Sequence, residues 1–216
     1  MTDRQPTDMP VDLDSTLNLA LELLSNAVDE RAAPFRTPVV ASISEDGEGR
    51  PIPDSRIMVL RSFRASDRRI TLFSDIRSAK IDQIKAYPTI SVLFYDPAKR
   101  LQIRLAGRCE VHRADRLSEV SWQSLSSTNK RSYSIQPSPG TWLPQATAYN
   151  LSPKSEHGPA SSSDASNFCV LETRYNRLEW HRKGIAGHSS PGILLQWRTL
   201  TGLRPDCALI AQSISI

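Results

Sequence analysis

Two arginines flank a short apolar run, and their chemistry predicts that they bind a phosphate group. The run is Arg56, then Ile-Met-Val-Leu, then Arg61. Guanidinium groups form strong, often bidentate hydrogen bonds with phosphate oxygens, whereas a buried strand does not need two charges. Hydroxyl and ammonium groups that suit the same ligand follow at Ser74, Ser78 and Lys80. The sequence therefore predicts a site for a phosphorylated ligand, with solvated edge-strand arginines as the alternative.

The spacing of the two arginines poses a geometric problem for this site. Side chains alternate between the faces of a strand, so Arg56 and Arg61, five positions apart, would face opposite sides of a regular strand. A shared ligand would then require a β-bulge between them or a site at the interface of a dimer.

The elements that must position these residues follow from hydrophobic periodicity. Ser15 is predicted to cap a helix that ends by Pro34, with Leu17, Leu21, Leu24 and Val28 on its apolar face. Two further helices are predicted at 78–87 and 114–127. Alternating or β-branched runs predict strands at 39–44, 54–63, 69–74, 89–95, 101–112, 168–173, 177–181, 193–197 and 207–212.

This order of elements predicts a mainly β protein with flanking helices. Six or more short, largely antiparallel strands favour a small barrel. We expect residues 1–14 to be disordered and residues 15–216 to form a single domain, interrupted by a loop rich in Pro and Ser at about 134–166.

Composition excludes several classes of protein. No run approaches the ~18 apolar residues that span a bilayer, and the three cysteines show no CxxC pair, which favours buried thiols and a cytoplasmic location. The four histidines lack the spacing of a metal site, so no metal is expected. No hydrolase elbow, dinucleotide fingerprint or P-loop is present. A net charge of +4 is dispersed along the chain and does not by itself indicate a nucleic-acid partner.

Four segments together resemble the pyridoxamine 5'-phosphate oxidase family. They are 56–61, 73–80, the Gln102 segment Leu-Gln-Ile-Arg-Leu-Ala-Gly, and Leu178-Glu179-Trp180. The likeness covers residues 35–112 and, more weakly, 167–197. It implies a split β-barrel that binds flavin mononucleotide (FMN) at the interface of a homodimer, and this arrangement would also solve the problem of the two opposed arginines.

The resemblance also implies which residues touch the cofactor. Arg56 and Arg61 would contact the phosphate or ribityl chain, and Gln102 would hydrogen-bond the edge of the isoalloxazine ring. Arg77 would replace a family arginine at the position of Ala79. The full implied set is Arg56, Ile57, Met58, Val59, Leu60, Arg61, Phe73, Ser74, Arg77, Ser78, Lys80, Gln102, Trp142, Gln145 and Trp180.

The C-terminal part departs from the vitamin B6 oxidases. Those enzymes carry an arginine-containing element after the late tryptophan, whereas this chain reads Gly-His-Ser-Ser-Pro-Gly at 187–192. The resemblance and this departure together imply an FMN-dependent oxidoreductase related to the B6 oxidases, with a different or unknown substrate. Two alternatives remain open: a protein that binds or senses flavin, or another phosphorylated ligand, without turnover, and a basic barrel that binds nucleic acid.

Overall fold

A computed structural model of the chain describes residues 13–142 and 165–182, together with the backbone of 192–198 and 208–214. Helices within these residues include α1 (Leu13–Asp29), α2 (Ala79–Ala86), α3 (Arg116–Gln123) and α4 (Ser127–Arg131). The strands are β1 (Val39–Glu45), β2 (Pro51–Ile57), β3 (Leu60–Arg64), β4 (Arg69–Asp75), β5 (Thr89–Asp96), β6 (Leu101–His112), β7 (Phe168–Arg182), β8 (Gly192–Arg198) and β9 (Ala208–Ile214). No helix in this part of the chain is long and apolar enough to cross a membrane.

The strands form one antiparallel sheet in the order β2-β1-β5-β6-β7-β4-β3, with β8 and β9 branching from β7. The branch arises because β7 has 15 residues and changes neighbours along its length. Its first half pairs with β4, whereas its second half pairs with β8. The mainly antiparallel barrel predicted from the sequence is confirmed, and the barrel is split rather than closed.

The two ends of the strand order meet at one point, which we call the seam (Met58 and Val59). β2 lies at one edge of the order and β3 at the other, yet only these two residues separate them in the chain. Three Cα steps from Ile57 to Leu60 span at most about 11 Å. The sheet must therefore curl until its edges approach each other, and the Met58 amide donates a 3.0 Å hydrogen bond to the Pro38 carbonyl beside this point.

Helix α1 covers the barrel core with a face that differs slightly from the predicted one. It begins at Leu13, so Ser15 lies inside the helix and does not cap it. Leu24 is buried as predicted, but its neighbours on the buried face are small, and they let the helix approach β3 closely. The buried face consists of Thr16, Ala20, Leu24 and Ala27, while Leu17, Leu21 and Val28 are half-buried along its sides.

Four predicted elements were wrong in their extent. The strand predicted at 54–63 is two strands, because the seam interrupts it. The two strands predicted at 168–173 and 177–181 are one, since β7 continues through a bulge opposite Ala106 and Gly107. The helix predicted at 114–127 is two short helices, each with its own capping side chain, Asp115 for α3 and Ser126 for α4. Residues 1–12 and most of the predicted loop, 143–164, lie outside the described residues.

Candidate functional site

A cleft of about 310 Å³ opens at the seam. Most of the predicted phosphate-site residues meet there, although they come from three strands, a helix and the seam. The predicted positions in its lining are Arg56, Ile57, Met58, Val59, Arg61, Phe73, Ser74 and Lys80.

The seam explains how Arg56 and Arg61 reach the same cleft. The alternation of side chains holds only within a regular strand, and β2 ends at Ile57 before β3 begins at Leu60. The change of direction between the two strands lets both arginines line one space. A break in the strand within one chain thus removes the geometric problem without requiring a second subunit.

Arg56 is held by protein groups. Its guanidinium donates to the Ser42 hydroxyl at 2.6 Å, to the Asp54 carboxylate at 2.5 Å and to the Gln83 amide oxygen at 3.1 Å. Its positive charge is therefore compensated by Asp54, and its orientation is set by β1, β2 and α2 together.

Arg61 has a different environment. Its guanidinium carbon lies 5.2 Å from the centre of the Phe73 ring, and its Nε is buried and has no hydrogen-bond partner. Burial, together with the nearby charge of Arg36, lowers the pKa of Arg61. No carboxylate of the described residues forms an ion pair with it. A buried guanidinium N–H without a hydrogen-bond acceptor costs folding free energy, and a bound anion would supply that acceptor.

Lys80 lies in a similar environment at the start of α2. Its Nζ donates to the Ser78 hydroxyl at 2.8 Å and lies 3.4 Å from the Ser74 hydroxyl, and both serines are buried. Burial and, next, the charge of Arg56 lower the pKa of this ammonium group. Within the described ranges it also lacks an ion-paired carboxylate, so Arg61 and Lys80 carry the uncompensated charge of the cleft.

Arg77 lies next to the cleft and does not line it. Its Nε and Nη2 donate to the two oxygens of Asp75 at 2.9 and 2.6 Å, and Nη2 also reaches the carbonyls of Tyr133 and Ile135. Asp75 does line the cleft, but its carboxylate is occupied by this pair. Arg77 therefore links Asp75 to the segment after α4 by hydrogen bonds to the Tyr133 and Ile135 carbonyls.

The other predicted contacts lie elsewhere. Leu60 and Trp180 belong to the buried core. Gln102, on β6, is paired between Tyr95 and His181 and does not line the cleft. Trp142 is 82% exposed, and Gln145 lies outside the described residues. Cofactor contacts by these residues stay predictions.

Sequence reasoning missed one wall of the cleft, formed by Ser132, Tyr133 and Pro139. The Tyr133 ring packs edge-on against Trp122 and Phe168, and burial raises its pKa to about 12. A signal for this wall was present, because Ser126 is a good helix cap and an aromatic residue follows the short helix that it starts.

The carboxylates that compensate the arginines were also missed. Asp54 precedes Arg56 by two positions, and Asp75 precedes Arg77 by two. Residues two apart on a strand share a face, so the repeated Asp-x-Arg pattern predicts an ion pair at Asp54 and Arg56. The second pair forms where β4 turns toward α2.

The family model described as pyridoxamine 5'-phosphate oxidase, FMN-binding domain, matches residues 20–113. A curated relative, the pyridoxine/pyridoxamine 5'-phosphate oxidase of Pseudomonas putida (strain GB-1), is 33% identical over 86 residues, which are 40% of this chain and 38% of that protein. The corresponding enzyme of Caulobacter vibrioides (strain NA1000 / CB15N) is 32% identical over 71 residues, 33% of this chain and 29% of that protein. The chain thus matches well under half the length of these curated relatives.

Solved structures show the same fold over nearly the whole chain. A pyridoxamine 5'-phosphate oxidase-related, FMN-binding protein from Nostoc punctiforme PCC 73102 aligns with a TM-score of 0.66 at 21% identity, over 92% of this chain and 96% of that one. PhzG from Burkholderia lata 383, solved with tetrahydrophenazine-1-carboxylic acid, aligns with a TM-score of 0.64 at 16% identity, over 92% of each chain. At these identities the likeness shows the fold alone, which is the split barrel.

The cleft residues fit the phosphate end of the cofactor that this family binds. The seam, the start of α2 and the cationic pair Arg61 and Lys80 all lie inside the matched range. The orphaned Nε of Arg61 and the hydroxyls beside Lys80 offer donors to an anion. Residues 20–113 of this chain, which contribute most of the cleft, therefore match the FMN-binding domain of the pyridoxamine 5'-phosphate oxidase family.

Proposed function

We propose that the cleft at the seam binds FMN and that the protein is an FMN-dependent oxidoreductase. The observation that carries the proposal is the pair of cations, Arg61 and Lys80, with no ion-paired carboxylate in the described part of the chain. A phosphate monoester carries a charge of about −1.5 to −2 at pH 7. Two uncompensated positive charges match that charge.

The phosphate is assigned to Arg61 and Lys80, with the hydroxyls of Ser74 and Ser78 beside them. Arg56 adds hydrogen-bond donors whose charge is already compensated. The flavin ring is assigned to the apolar residues at the seam and just before it, Ile57, Met58 and Val59. Ile57 there is 71% exposed, and its cross-strand neighbour Val39 is 37% exposed.

Exposed apolar side chains beside a cleft also suit a second subunit. We therefore propose a homodimer with the cofactor at its interface, in which Gln102 hydrogen-bonds the flavin edge. Trp142, Gln145 and Trp180 stay secondary candidates for cofactor contacts.

When bound, FMN supplies hydride transfer, and the protein supplies binding and orientation. The cleft residues would hold the phosphate, exclude water from the seam and expose one face of the ring to a small substrate. The proposed substrate is not a pyridoxine phosphate, because residues 187–192 lack the arginine of the B6 oxidases. The proposed location is the cytoplasm, where the buried free thiols Cys109 and Cys169 would stay reduced.

The test is the visible absorption spectrum of the purified protein before and after FMN is added and the excess is removed by gel filtration. Retained flavin bands, with sedimentation as a dimer, are expected. A protein that takes up no flavin would overturn the proposal. Bound flavin that no candidate donor reduces would favour storage or sensing over catalysis.

The affinity for FMN is expected to fall at alkaline pH, and to fall further in the wild type than in Lys80→Arg. Burial lowers the pKa of Lys80 in the free protein, so the ammonium loses its proton below the usual lysine range as pH rises, and its attraction to phosphate is lost. An arginine stays protonated throughout. Fluorescence titration with FMN between about pH 8 and about pH 10, near the usual lysine pKa, measures this.

Ionisation of the flavin itself affects both proteins equally in this comparison. The difference between the two pH curves therefore reports on Lys80. Superimposable curves would show that Lys80 does not contact the phosphate.

A further inference from the structure

We propose that Asp54 sets the net charge of the cleft and thereby its selectivity for a phosphate monoester. This inference rests on the proposed function and deepens it. Asp54 does not line the cleft, and it acts through Arg56, which does. It is therefore a specificity-determining residue that touches no ligand.

The first support is a closed network of hydrogen bonds. The Gln83 amide nitrogen donates to Asp54 at 2.8 Å, and its oxygen accepts from the Ser42 hydroxyl at 2.6 Å and from Arg56 at 3.1 Å. Arg56 completes the ring by donating to Ser42 and to Asp54. The Gln83 oxygen accepts two of these bonds and its nitrogen donates one, so the amide has one orientation, and the acceptors on Ser42, Asp54 and Gln83 hold the guanidinium.

The second support is the distribution of charge. Four cations lie in or beside the cleft, and two of them have their own carboxylate: Arg56 has Asp54, and Arg77 has Asp75. The other two, Arg61 and Lys80, have none among the residues that the structure describes. The net charge is therefore about +2 with Asp54 ionised and would be about +3 without it.

The third support is that the charges of Asp54 and Lys80 each affect the pKa of the other group. The Gln83 hydrogen bond is the largest cause that lowers the pKa of the Asp54 carboxyl, and the charges of Arg56 and Lys80 contribute. Asp54 in turn acts on Lys80 in the opposite direction to Arg56. Asp54 therefore stays ionised at neutral pH and reduces the positive potential at the position assigned to the phosphate.

The geometry of the network makes the charge separable from the hydrogen bonds. Both bonds to Asp54 end on the same oxygen, Oδ2. In Asp54→Asn, an amide oxygen at that position accepts the same two bonds while the negative charge is lost. The substitution therefore tests charge at nearly constant structure.

Asp54→Asn is expected to bind FMN about tenfold more tightly at low salt, because one opposing charge is removed in a partly buried site. Its advantage should shrink as salt increases and screens the added charge. Its affinity for riboflavin, which has no phosphate, should equal that of the wild type. These dissociation constants would be measured by fluorescence quenching at several salt concentrations.

Asp82→Asn is the matched control. It also removes one negative charge, but from an exposed residue of α2 that pairs with Lys85. The FMN affinity of the Asp82→Asn variant should therefore stay near the wild-type value. A purely structural role for Asp54 predicts the opposite sign, since a loosened Arg56 would weaken FMN binding in Asp54→Asn. That result, or an equal gain for riboflavin, would overturn the inference.

The wild-type titration separates this inference from the proposed function. If the wild type does not bind FMN, the proposed function fails. If the wild type binds FMN and Asp54→Asn binds it equally or more weakly, only the role of Asp54 fails.

Discussion

The double variant Arg61→Ala/Lys80→Ala is expected to bind FMN at least a hundredfold more weakly than the wild type. Hydrogen bonds to charged groups contribute about 1.5–3 kcal/mol each, so two of them amount to about 3–6 kcal/mol, and each 1.4 kcal/mol is about a factor of ten. The loss should be large because these two cations have no ion-paired carboxylate in the described ranges to reduce their attraction for phosphate. Fluorescence titration with FMN measures the change.

The control for this variant is Arg50→Ala/Lys85→Ala, which removes the same charge from exposed positions. Its FMN affinity should stay within about threefold of the wild type, because exposed charges are screened by salt. Thermal unfolding of both variants checks that they fold. A folded Arg61→Ala/Lys80→Ala protein with wild-type affinity would place the phosphate elsewhere.

Arg56→Ala offers a graded comparison with the double variant. Arg56 already has Asp54 as its partner, so its removal leaves the net charge of the pair more negative and also loses donors to the ligand. Riboflavin, which lacks the phosphate, separates contacts to the phosphate from contacts to the rest of the cofactor. Its affinity should be nearly unaffected by changes at Arg61 and Lys80, since those residues are assigned to the phosphate.

The second large effect is expected on stability, at Gly107. A Cβ atom added there would lie 2.2 Å from the Arg174 carbonyl oxygen and 2.5 Å from the Tyr175 Cα. Both atoms belong to the backbone of β7, at the bulge where its register with β6 shifts, so neither can move aside as a flexible side chain would. Gly107→Ala is expected to lower the free energy of unfolding by about 3 kcal/mol, as severe overpacking does.

Gly47→Ala is the matched control for Gly107→Ala, because a Cβ at Gly47 meets no atom within 4 Å. Its effect should fall within the ~0.5 kcal/mol of ordinary surface substitutions. Urea unfolding of both variants gives the two values. Equal stability of the two variants would mean that the strands separate at this point more easily than their pairing indicates.

Much of the sheet could be predicted from local pattern alone. The strand predicted at 101–112 coincides with β6, because alternating residues such as Leu101, Ile103 and Leu105 must share the buried face. The helix predicted at 78–87 was confirmed for a similar reason, with Ser78 before it and Pro88 after it. These elements depend on neighbours within a few positions in the chain.

The elements that were wrong depend on distant partners. The predicted strand at 54–63 has a continuous apolar run, and nothing within it marks the point at which it leaves β1 and joins β4. The split of β7 into two predicted strands failed because the Arg174 to Arg177 segment contains polar residues that break the pattern. Pairing with β6 carries the strand through that break.

The sequence by itself indicated the chemistry of the candidate site through its cations and hydroxyls. It also contained an Asp-x-Arg pattern, missed in the sequence analysis, whose ion pair at Asp54 and Arg56 follows from the period of a strand. Only the tertiary structure decided which charges stay uncompensated in one cleft. Arg56 and Arg61 share that cleft because the sheet curls until β2 and β3 meet at the seam, and that curl depends on strand pairing across the whole barrel.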